Sequence, residues 1–304
     1  MALLINILIL FFAPFLFVGV IKKTKAFWAG KKGASIFQPL YDFFRLLKKE
    51  TVYSSTTSWV FKITPILNLS VVLFASLLVP LAFGQAILDI PFAFVVFSYV
   101  LGFSKFFSLI SALDTGSSFE GMGASREACF STIVEPAFFI AMGSITALCN
   151  ATNFINLKLI LDNAGIYGIL IIVCAIITLF IMLLVEGCRV PVDDPATHLE
   201  LTMIHEVMIL DNSGIDLALI TWASMIKMFL ISSLIASLII PLGLSLTASV
   251  LGFLGIIFLI SIIIGTLESS IARIRMTHIF EFIFIMSITS LLILIFVTYG
   301  IYGA

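Results

Sequence analysis

The stretch IYGILIIVCAIITLFIMLLV, from Ile166 to Val185, contains twenty residues and no charged side chain. A helix of about 20 mostly apolar residues is long enough to cross the hydrocarbon core of a bilayer. Because lipid offers no hydrogen-bond partner to the backbone, an apolar stretch of this length is stable there only as a helix. The stretch therefore predicts a transmembrane helix.

Seven further stretches share this length and character, so the sequence predicts an all-α integral membrane protein with about eight transmembrane helices in one membrane domain, residues 1–304. Hydrophobic residues make up 61% and charged residues 11% of the chain, whereas a soluble domain is roughly half apolar and about a quarter charged. The first stretch is expected to be retained, since no basic region precedes it as in a signal peptide. The predicted helices are Ala2–Ile21, Ile66–Gly84, Ile90–Ala112, Thr132–Asn150, Ile166–Val185, Leu217–Pro241, Ala248–Thr266 and Ile279–Tyr299.

The basic residues predict the orientation, because cytoplasmic loops of membrane proteins are enriched in Lys and Arg. The even-numbered loops hold only Lys158. The odd-numbered loops, 22–65, 113–131, 186–216 and 267–278, are therefore predicted to be cytoplasmic, with both termini on the other side of the inner cell membrane. Those loops hold thirteen of the sixteen basic residues: Lys22, Lys23, Lys25, Lys31, Lys32, Arg45, Lys48, Lys49, Lys62, Arg126, Arg189, Arg273 and Arg275.

The remaining two, Lys105 and Lys227, lie inside predicted transmembrane helices. A charged residue at the centre of a membrane helix costs about 2.5–3.5 kcal/mol on insertion scales. Such a residue is expected to face the protein interior or water and to serve function. The alternative is that both side chains extend to a membrane surface, within two helical turns.

The first cytoplasmic loop contains GASIFQPLYDFFRLLKKE, Gly33 to Glu50. From Pro39 onward, apolar residues recur at helical spacing opposite charged ones, which predicts an amphipathic helix at the membrane surface. This helix either anchors the chain to lipid or serves as a docking surface, with Gln38, Pro39 and Asp42 as its candidate residues.

The second loop, Leu113 to Pro136, is rich in Gly and Ser, which favours a loop until about Ala124, where a helix can begin. On that helix Arg126 and Glu135 lie on broadly the same side. Burial raises the pKa of a carboxyl, so Glu135 is a candidate proton carrier. A structural Arg–Glu pairing is the alternative.

The third loop, VEGCRVPVDDPATHLELTMIHEVMILDNSG from Val185 to Gly214, is the richest in functional side chains. Asp194 followed by Pro195 predicts the start of a helix, and Gly214 marks its end. Glu186 and Arg189 are three residues apart and are expected to pair. These side chains are predicted to share or adjoin one helix face: His198, Thr202, His205 and Glu206.

Metal binding is not predicted. His205-Glu206 lacks the second His of the HExxH pattern, at Ile209, although His198, Glu200 and His205 are within reach of one another. The four cysteines are interpreted as apolar filler, without a cluster or disulfide framework. A group of carboxylates and imidazoles at a membrane surface fits a proton-conducting or redox-coupled site better. Its members are Asp193, Asp194, Glu200, His205 and Glu206.

Three segments resemble a known family. Gln38-Pro39, Asp42 and Lys49-Glu50 resemble the QPxxDxxKLxxKE segment of the H subunit of bacterial complex I, and the spacing from Arg126 to Glu135 resembles its R…SYE segment. The third segment is similar to that subunit's ExxRxPFDLPEAExE loop. It matches that loop at Glu186, Arg189, Pro191, Asp193, Pro195 and Glu200.

LDTGSSFEGMGASREA and VPVDDPATHLELTMIHEVMILDNSG are more similar to the membrane subunit of group 4 energy-converting nickel–iron hydrogenases, the family of formate hydrogenlyase. The resemblance implies a non-catalytic membrane anchor on which the hydrogenase large and small subunits dock. It implies a link from electron transfer to antiporter-like membrane subunits that move H⁺ or Na⁺. The nickel–iron centre and the iron–sulfur clusters would lie on partner subunits, with no cofactor in this chain.

Two residues depart from the complex I loop, since Val192 and Ala196 stand where that loop has an aromatic and an acidic residue. These departures weigh against a quinone chamber, and group 4 hydrogenases need no quinone. A quinone-binding subunit of a complex I-like oxidoreductase stays open as the alternative. The distance from Lys105 to Arg126 is longer than in quinone-reducing relatives, so the family assigns no role to Lys105.

Overall fold

The computed structural model describes residues 2–82, 86–149, 154, 160, 167–194, 203–241 and 245–302. Every secondary-structure element among these residues is a helix, and the helices are joined by turns and loops. The helices are, in chain order, α1 (Ala2–Trp28), α2 (Gln38–Leu47), α3 (Trp59–Leu78), α4 (Ala93–Asp114), α5 (Ser118–Cys149), α6 (Gly168–Glu186), α7 (His205–Met208), α8 (Gly214–Ile239), α9 (Leu246–Ser270) and α10 (Met276–Tyr302).

Eight helices in the described part of the chain are long and apolar enough to cross a membrane, all except α2 and α7. This confirms the predicted all-α membrane fold. Helix α8 lies at the centre, since it packs against α1, α2, α3, α6 and α9. Helices α5 and α6 are the next most buried after α8. Helix α10 packs against both α5 and α6.

Helix α2 is the predicted amphipathic helix, and it begins with Pro39 in its first turn, where proline is favoured. Its buried Phe43 ring lies 5.3 Å from the Phe15 ring of α1 and 5.2 Å from the Trp222 ring of α8. The apolar face of α2 therefore packs on protein, while the Tyr41 and Phe44 side chains stay exposed. Both the lipid-anchoring and the docking interpretation remain predictions.

Helix α5 begins at Ser118, six residues before the start that the sequence predicts. One glycine of this stretch, Gly123, allows another segment to pack closely against the helix. A Cβ atom on Gly123 would lie 2.9 Å from the backbone oxygen of Ile204 and 2.9 Å from Cγ of Met208. Glycine at this position lets the segment before and within α7 lie directly on α5.

The segments 29–58, 115–117, 187–194, 203–213 and 271–275 lie at one end of the helix bundle, which we call the basic end. Cross-contacts hold it together. The backbone N–H of Ser58 donates to Asp114 at 2.7 Å, and that of Val52 donates to Ser213 at 2.9 Å. At Gly214 φ is +53°, and a Cβ there would meet the backbone oxygen of Lys49 at 2.8 Å, so only glycine fits this turn.

Candidate functional site

Four charged side chains from four helices, three buried and one partly buried, form one continuous set of ion pairs. We call it the ion-pair chain, and its members are Lys105 of α4, Glu127 of α5, Glu186 of α6 and Lys227 of α8. The Lys105 ammonium lies 3.2 Å from Glu127 Oε1 and 2.5 Å from Glu186 Oε1. The second oxygen of Glu186 lies 3.0 Å from the Lys227 ammonium. Two cations therefore balance two carboxylates.

Three members of the ion-pair chain are almost sealed from their surroundings, and the fourth, Lys227, is 19% exposed. The side chains of Lys105 and Glu127 are each 9% exposed and that of Glu186 is 5% exposed. Buried charges are tolerated only when they are paired and hydrogen-bonded. The structure thus turns both lysines toward carboxylates of neighbouring helices inside the bundle, as the sequence predicts.

A polar contact between α3 and α4 fixes the rotation of α4. Ser104 donates to Asn68 Oδ1 at 2.9 Å, and the Asn68 amide donates to Ser108 at 2.9 Å. Ser104 and Ser108 are one turn apart and face α3, whereas Lys105 is rotated by about 100° from Ser104 in an α-helix. The contact therefore turns Lys105 toward α5 and α6.

Glu135 of α5 lies beside the ion-pair chain rather than in it. A Cβ atom on Gly102, one turn before Lys105, would lie 3.9 Å from Glu135 Oε1. Glu135, Lys105 and Glu186 line one small cavity. The structure thus brings Glu135 close to Lys105 and Glu186, which the sequence did not predict.

A second set of ion pairs, which we call the loop clamp, holds the segment after α6 at the basic end. Arg189 Nη1 lies 3.2 Å from Glu268 of α9. Lys25 of α1 lies 3.5 Å from the other Glu268 oxygen and 3.4 Å from Asp194. These pairs tie the segment to two transmembrane helices.

Asp193 and Arg273 complete the loop clamp, with 3.2 Å between Asp193 Oδ1 and Arg273 Nη2. The other Asp193 oxygen accepts the backbone N–H of Ile204 at 3.0 Å and that of His205 at 3.3 Å. Burial raises the pKa of Asp193, and the Arg273 guanidinium opposes that rise. Asp193 therefore acts as a positioning residue for the start of α7.

His205 stands at the first position of α7. Burial lowers the pKa of His205, and the nearby Lys227 ammonium acts in the same direction, so that the pKa falls from 6.5 to about 4. The imidazole is therefore neutral at pH 7, when it is able both to accept and to donate a hydrogen bond.

This pKa predicts acid sensitivity of the fold. Between pH 6.5 and about 4 the unfolded chain binds a proton at His205 that the folded chain does not. The contribution of the neutral imidazole to stability is complete above pH 6.5 and is lost as the pH falls from 6.5 toward 4. Over that range the thermal unfolding temperature should fall more steeply for the wild type than for His205→Gln. The control variant is His278→Gln, because His278 is exposed, and its unfolding temperature should fall with pH as steeply as that of the wild type. If the unfolding temperatures of wild type and His205→Gln fell equally with pH, the prediction would be wrong.

A cavity of about 430 Å³ opens between α1, the residues that directly follow α6, the start of α7, and α8. Cationic, acidic and imidazole side chains line it, with Met225 and Met228 at its apolar wall. Gly187 and Met228 also line it, and each directly follows a member of the ion-pair chain in sequence. The cavity is therefore adjacent to the ion-pair chain. Its charged lining residues are Lys22, Lys25, Arg189, His205, Glu206 and Glu268.

Several predicted site residues lie elsewhere than expected. Glu186 and Arg189 do not pair with each other. Glu186 instead forms ion pairs with Lys105 and Lys227, and Arg189 pairs with Glu268. Arg126 donates to the backbone oxygen of Met203 at 2.8 Å, and it does not pair with Glu135. Pro191 accepts the backbone N–H of Ile274 at 3.2 Å. The predicted residues Pro195, His198, Glu200 and Thr202 lie outside the described residues.

Sequence reasoning missed Glu127 and Glu268 and assigned no role to Lys25. The sequence signal that could have identified these residues is their charge, because an unpaired carboxylate in or beside an apolar stretch is costly and needs a partner. Glu127 follows Arg126 in the second loop, and Glu268 is two residues beyond the seventh predicted helix. In the part of the chain that the structure describes, no group of three or more His, Cys, Asp or Glu side chains is placed to hold a metal ion.

Comparisons with known proteins agree with this architecture. The chain is 26% identical to formate hydrogenlyase subunit 4 of Escherichia coli (strain K12) over 280 residues, 90% of each protein. It is 27% identical to hydrogenase-4 component C of the same organism over 241 residues, 78% of this chain and 74% of the relative.

The fold is shared with a chain of the membrane-bound sulfane sulfur reductase, an archaeal respiratory membrane complex. The TM-score is 0.82 at 17% sequence identity, over 97% of this chain and 98% of that chain. The chain is thus a multi-pass membrane protein. Residues 1–299 match the NADH dehydrogenase family. Because that match spans nearly the whole sequence, the chain belongs to the NADH dehydrogenase family.

Proposed function

We propose that this chain is the membrane-anchor and energy-coupling subunit of a membrane-bound hydrogenase complex of the formate hydrogenlyase type. The observation that carries the proposal is the ion-pair chain, which joins four helices inside the membrane domain and borders the cavity at the basic end. Two relatives from hydrogenase systems support it. As a subunit of a respiratory complex, the chain works with partner subunits.

In this proposal the basic end faces the cytoplasm and receives the hydrogenase large and small subunits. The docking residues are Gln38, Pro39, Asp42, Arg126, Arg189, Pro191, Pro195 and His198. The nickel–iron centre and iron–sulfur clusters belong to those soluble subunits, and this chain performs no redox step itself. Antiporter-like membrane subunits carry H⁺ or Na⁺ beside it.

Coupling begins at the cavity. A change of charge at the docked subunit shifts protonation near His205 and Glu206, which line the cavity, and near Asp193, Asp194 and Glu200. Because Lys105 and Lys227 share Glu186, any change in the charge of one member alters the balance for the others. Glu135, Glu186 and Lys227, with Lys105 and Glu127, then pass the change into the membrane domain.

Glu206→Gln tests this assignment, because it removes a charge at the cavity wall without changing side-chain size. Formate- or ferredoxin-linked H₂ evolution in membranes should fall by at least about tenfold, equivalent to about 1.4 kcal/mol on the barrier. Hydrogenase activity with a soluble dye should be unchanged, and the soluble subunits should still co-purify with this chain. The exposed Glu50 supplies the control Glu50→Gln. Full coupled activity in Glu206→Gln would refute the assignment.

The cavity of about 430 Å³ also favours a second candidate, a quinone-binding subunit of a complex I-like oxidoreductase. Ligand pockets commonly have volumes of about 300–1,000 Å³, and Met225 and Met228 offer it an apolar wall. This function requires that a quinone analogue bind the purified complex and block turnover. If the analogue has no effect on turnover, the hydrogenase function stands alone.

A further inference from the structure

Helix α2 presents three faces to different surroundings. Pro39 and Phe43 are buried against protein. Gln38 donates to Asp42 at 3.0 Å on a polar face. The third face carries side chains spaced by four, three and four residues, a spacing that places them on one line along a helix. This line, which we call the outer stripe, consists of Phe37, Tyr41, Phe44 and Lys48.

The three aromatic side chains of the outer stripe are all exposed. The exposed fractions are 52% for Phe37, 60% for Tyr41 and 47% for Phe44. A single exposed aromatic residue is common on a protein surface, whereas a continuous apolar patch marks a site of contact with a partner or with lipid. The outer stripe therefore needs an occupant.

The height of α2 along α1 favours lipid as this occupant. The first charged residue of α1 is Lys22, and Phe43 of α2 packs on Phe15, which lies about 10 Å below Lys22 at the rise of an α-helix. A Cβ atom on Gly19 would collide with the backbone oxygen of Ile36, so the residues just before α2 also contact α1 below Lys22. Helix α2 thus lies beside the apolar part of α1, at the depth where an amphipathic helix meets headgroups and upper acyl chains.

The charge of this region favours an anionic headgroup. Residues 22–65 contain nine basic side chains and two acidic ones. The exposed Lys48 and Lys49 follow directly after α2, and Lys48 lies one turn beyond Phe44 on the same line. Its ammonium is therefore close to the headgroup of a lipid whose acyl chains contact the aromatic side chains. Each Lys or Arg beside an anionic membrane surface strengthens binding by a factor of about five.

We propose that the outer stripe and Lys49 form a binding site for an anionic phospholipid. The aromatic side chains contact the acyl chains, and Lys48 and Lys49 bind the phosphate of the headgroup. The polar face with Gln38 and Asp42 is turned by about 100° from the outer stripe and stays open to a docked protein. A lipid anchor and a docking surface therefore occupy different faces of one helix. The lipid site does not depend on the proposed function.

Photo-crosslinking in cell membranes identifies the occupant. The full chain carries p-benzoylphenylalanine in place of Tyr41 or, in a second preparation, in place of Phe27, which is 75% exposed at the end of α1. After irradiation, mass spectrometry should show a phospholipid adduct at position 41, several-fold more abundant than at position 27. An adduct of position 41 with a protein, no adduct there, or equal phospholipid adducts at both positions overturns the lipid site.

Native mass spectrometry of the purified full chain tests the headgroup. The probes are phosphatidylglycerol, which is anionic, and phosphatidylcholine, which is zwitterionic, with identical acyl chains. Wild type should bind phosphatidylglycerol more tightly. Lys48→Gln combined with Lys49→Gln should weaken phosphatidylglycerol binding at least about fivefold and leave phosphatidylcholine binding unchanged. Tyr41→Ser combined with Phe44→Ser should weaken the binding of both lipids.

Lys31→Gln combined with Lys32→Gln is the matched control, because both lysine pairs are exposed and the charge removed is the same. The backbone N–H of Lys31 donates to Ala26, about 10 Å higher on α1 than Gly19, a distance over which salt screens charges. Phosphatidylglycerol binding of this control should stay within about twofold of wild type. Equal binding of the two lipids by wild type, or equal losses in the two lysine variants, overturns the anionic site.

Discussion

Glu186→Gln is expected to abolish ion coupling and to destabilise the membrane domain by about 3–5 kcal/mol, the usual cost of leaving a buried charge without its partner. The carboxylate of Glu186 is the only contact between Lys105 and Lys227 in the ion-pair chain. Without it Lys227 has no counter-ion among the described residues, while Lys105 keeps Glu127. The measurements are the thermal unfolding temperature in detergent and coupled H₂ evolution in membranes.

A second substitution separates stability from function. Glu186→Gln combined with Lys227→Met leaves Lys105 and Glu127 as one neutral pair, so most of the lost stability should return, whereas coupling should stay lost. The control is Glu281→Gln, because the Glu281 side chain is 73% exposed and pairs only with the neighbouring His278. A Glu186→Gln protein as stable and as active as Glu281→Gln would contradict the role given to the ion-pair chain.

Under the proposed function, Arg189→Ala is expected to release the hydrogenase large subunit from the membrane fraction. Arg189 is buried, and its contact with Glu268 holds the described segment after α6, residues 187–194, against α9. Without the guanidinium, the one ion-pair partner that Glu268 retains within the described part of the chain is Lys25 at 3.5 Å. Breaking a buried pair costs about 3–5 kcal/mol. The cavity wall at the basic end should then lose its shape. Immunoblotting of membrane and soluble fractions measures the loss.

Arg45→Ala is the matched control for this substitution. Arg45 also forms an ion pair, with Asp42 at 3.3 Å, but its side chain is 70% exposed, and exposed pairs contribute about 0–1 kcal/mol. If the large subunit stayed in the membrane fraction in both variants, the loop clamp would have no role in assembly of the complex. Glu268→Gln should reproduce the Arg189→Ala result, because it breaks the same pair from α9.

The transmembrane helices were predictable because burial in lipid depends on local sequence. An apolar stretch such as Ile166–Val185 must be helical whatever surrounds it, and α6 occupies nearly the same residues. The amphipathic pattern after Pro39 was also sufficient to predict α2. These features need no knowledge of distant contacts.

The partners of the charged residues were not predictable, since they depend on how helices pack. The spacing of Glu186 and Arg189 favours a local pair, yet Lys105 reaches Glu186 from 81 residues away. Lys105 and Lys227 both bind the Glu186 carboxylate, whereas Arg189 binds Glu268 instead. The start of α5 was missed for a similar reason, because Gly123 serves contact with Ile204 rather than a turn.

The bridge made by Lys105 has a consequence for how the protein is synthesised. The ribosome delivers α4 and its lysine first, Glu127 follows on the next helix, and Glu186 arrives 81 residues later. Before α5 brings Glu127, leaving the lysine in hydrocarbon would cost about 2.5–3.5 kcal/mol, and its second carboxylate partner comes only with α6. We therefore expect α4 to stay at the insertion machinery until α5 and α6 emerge, so that three helices enter the lipid as one group.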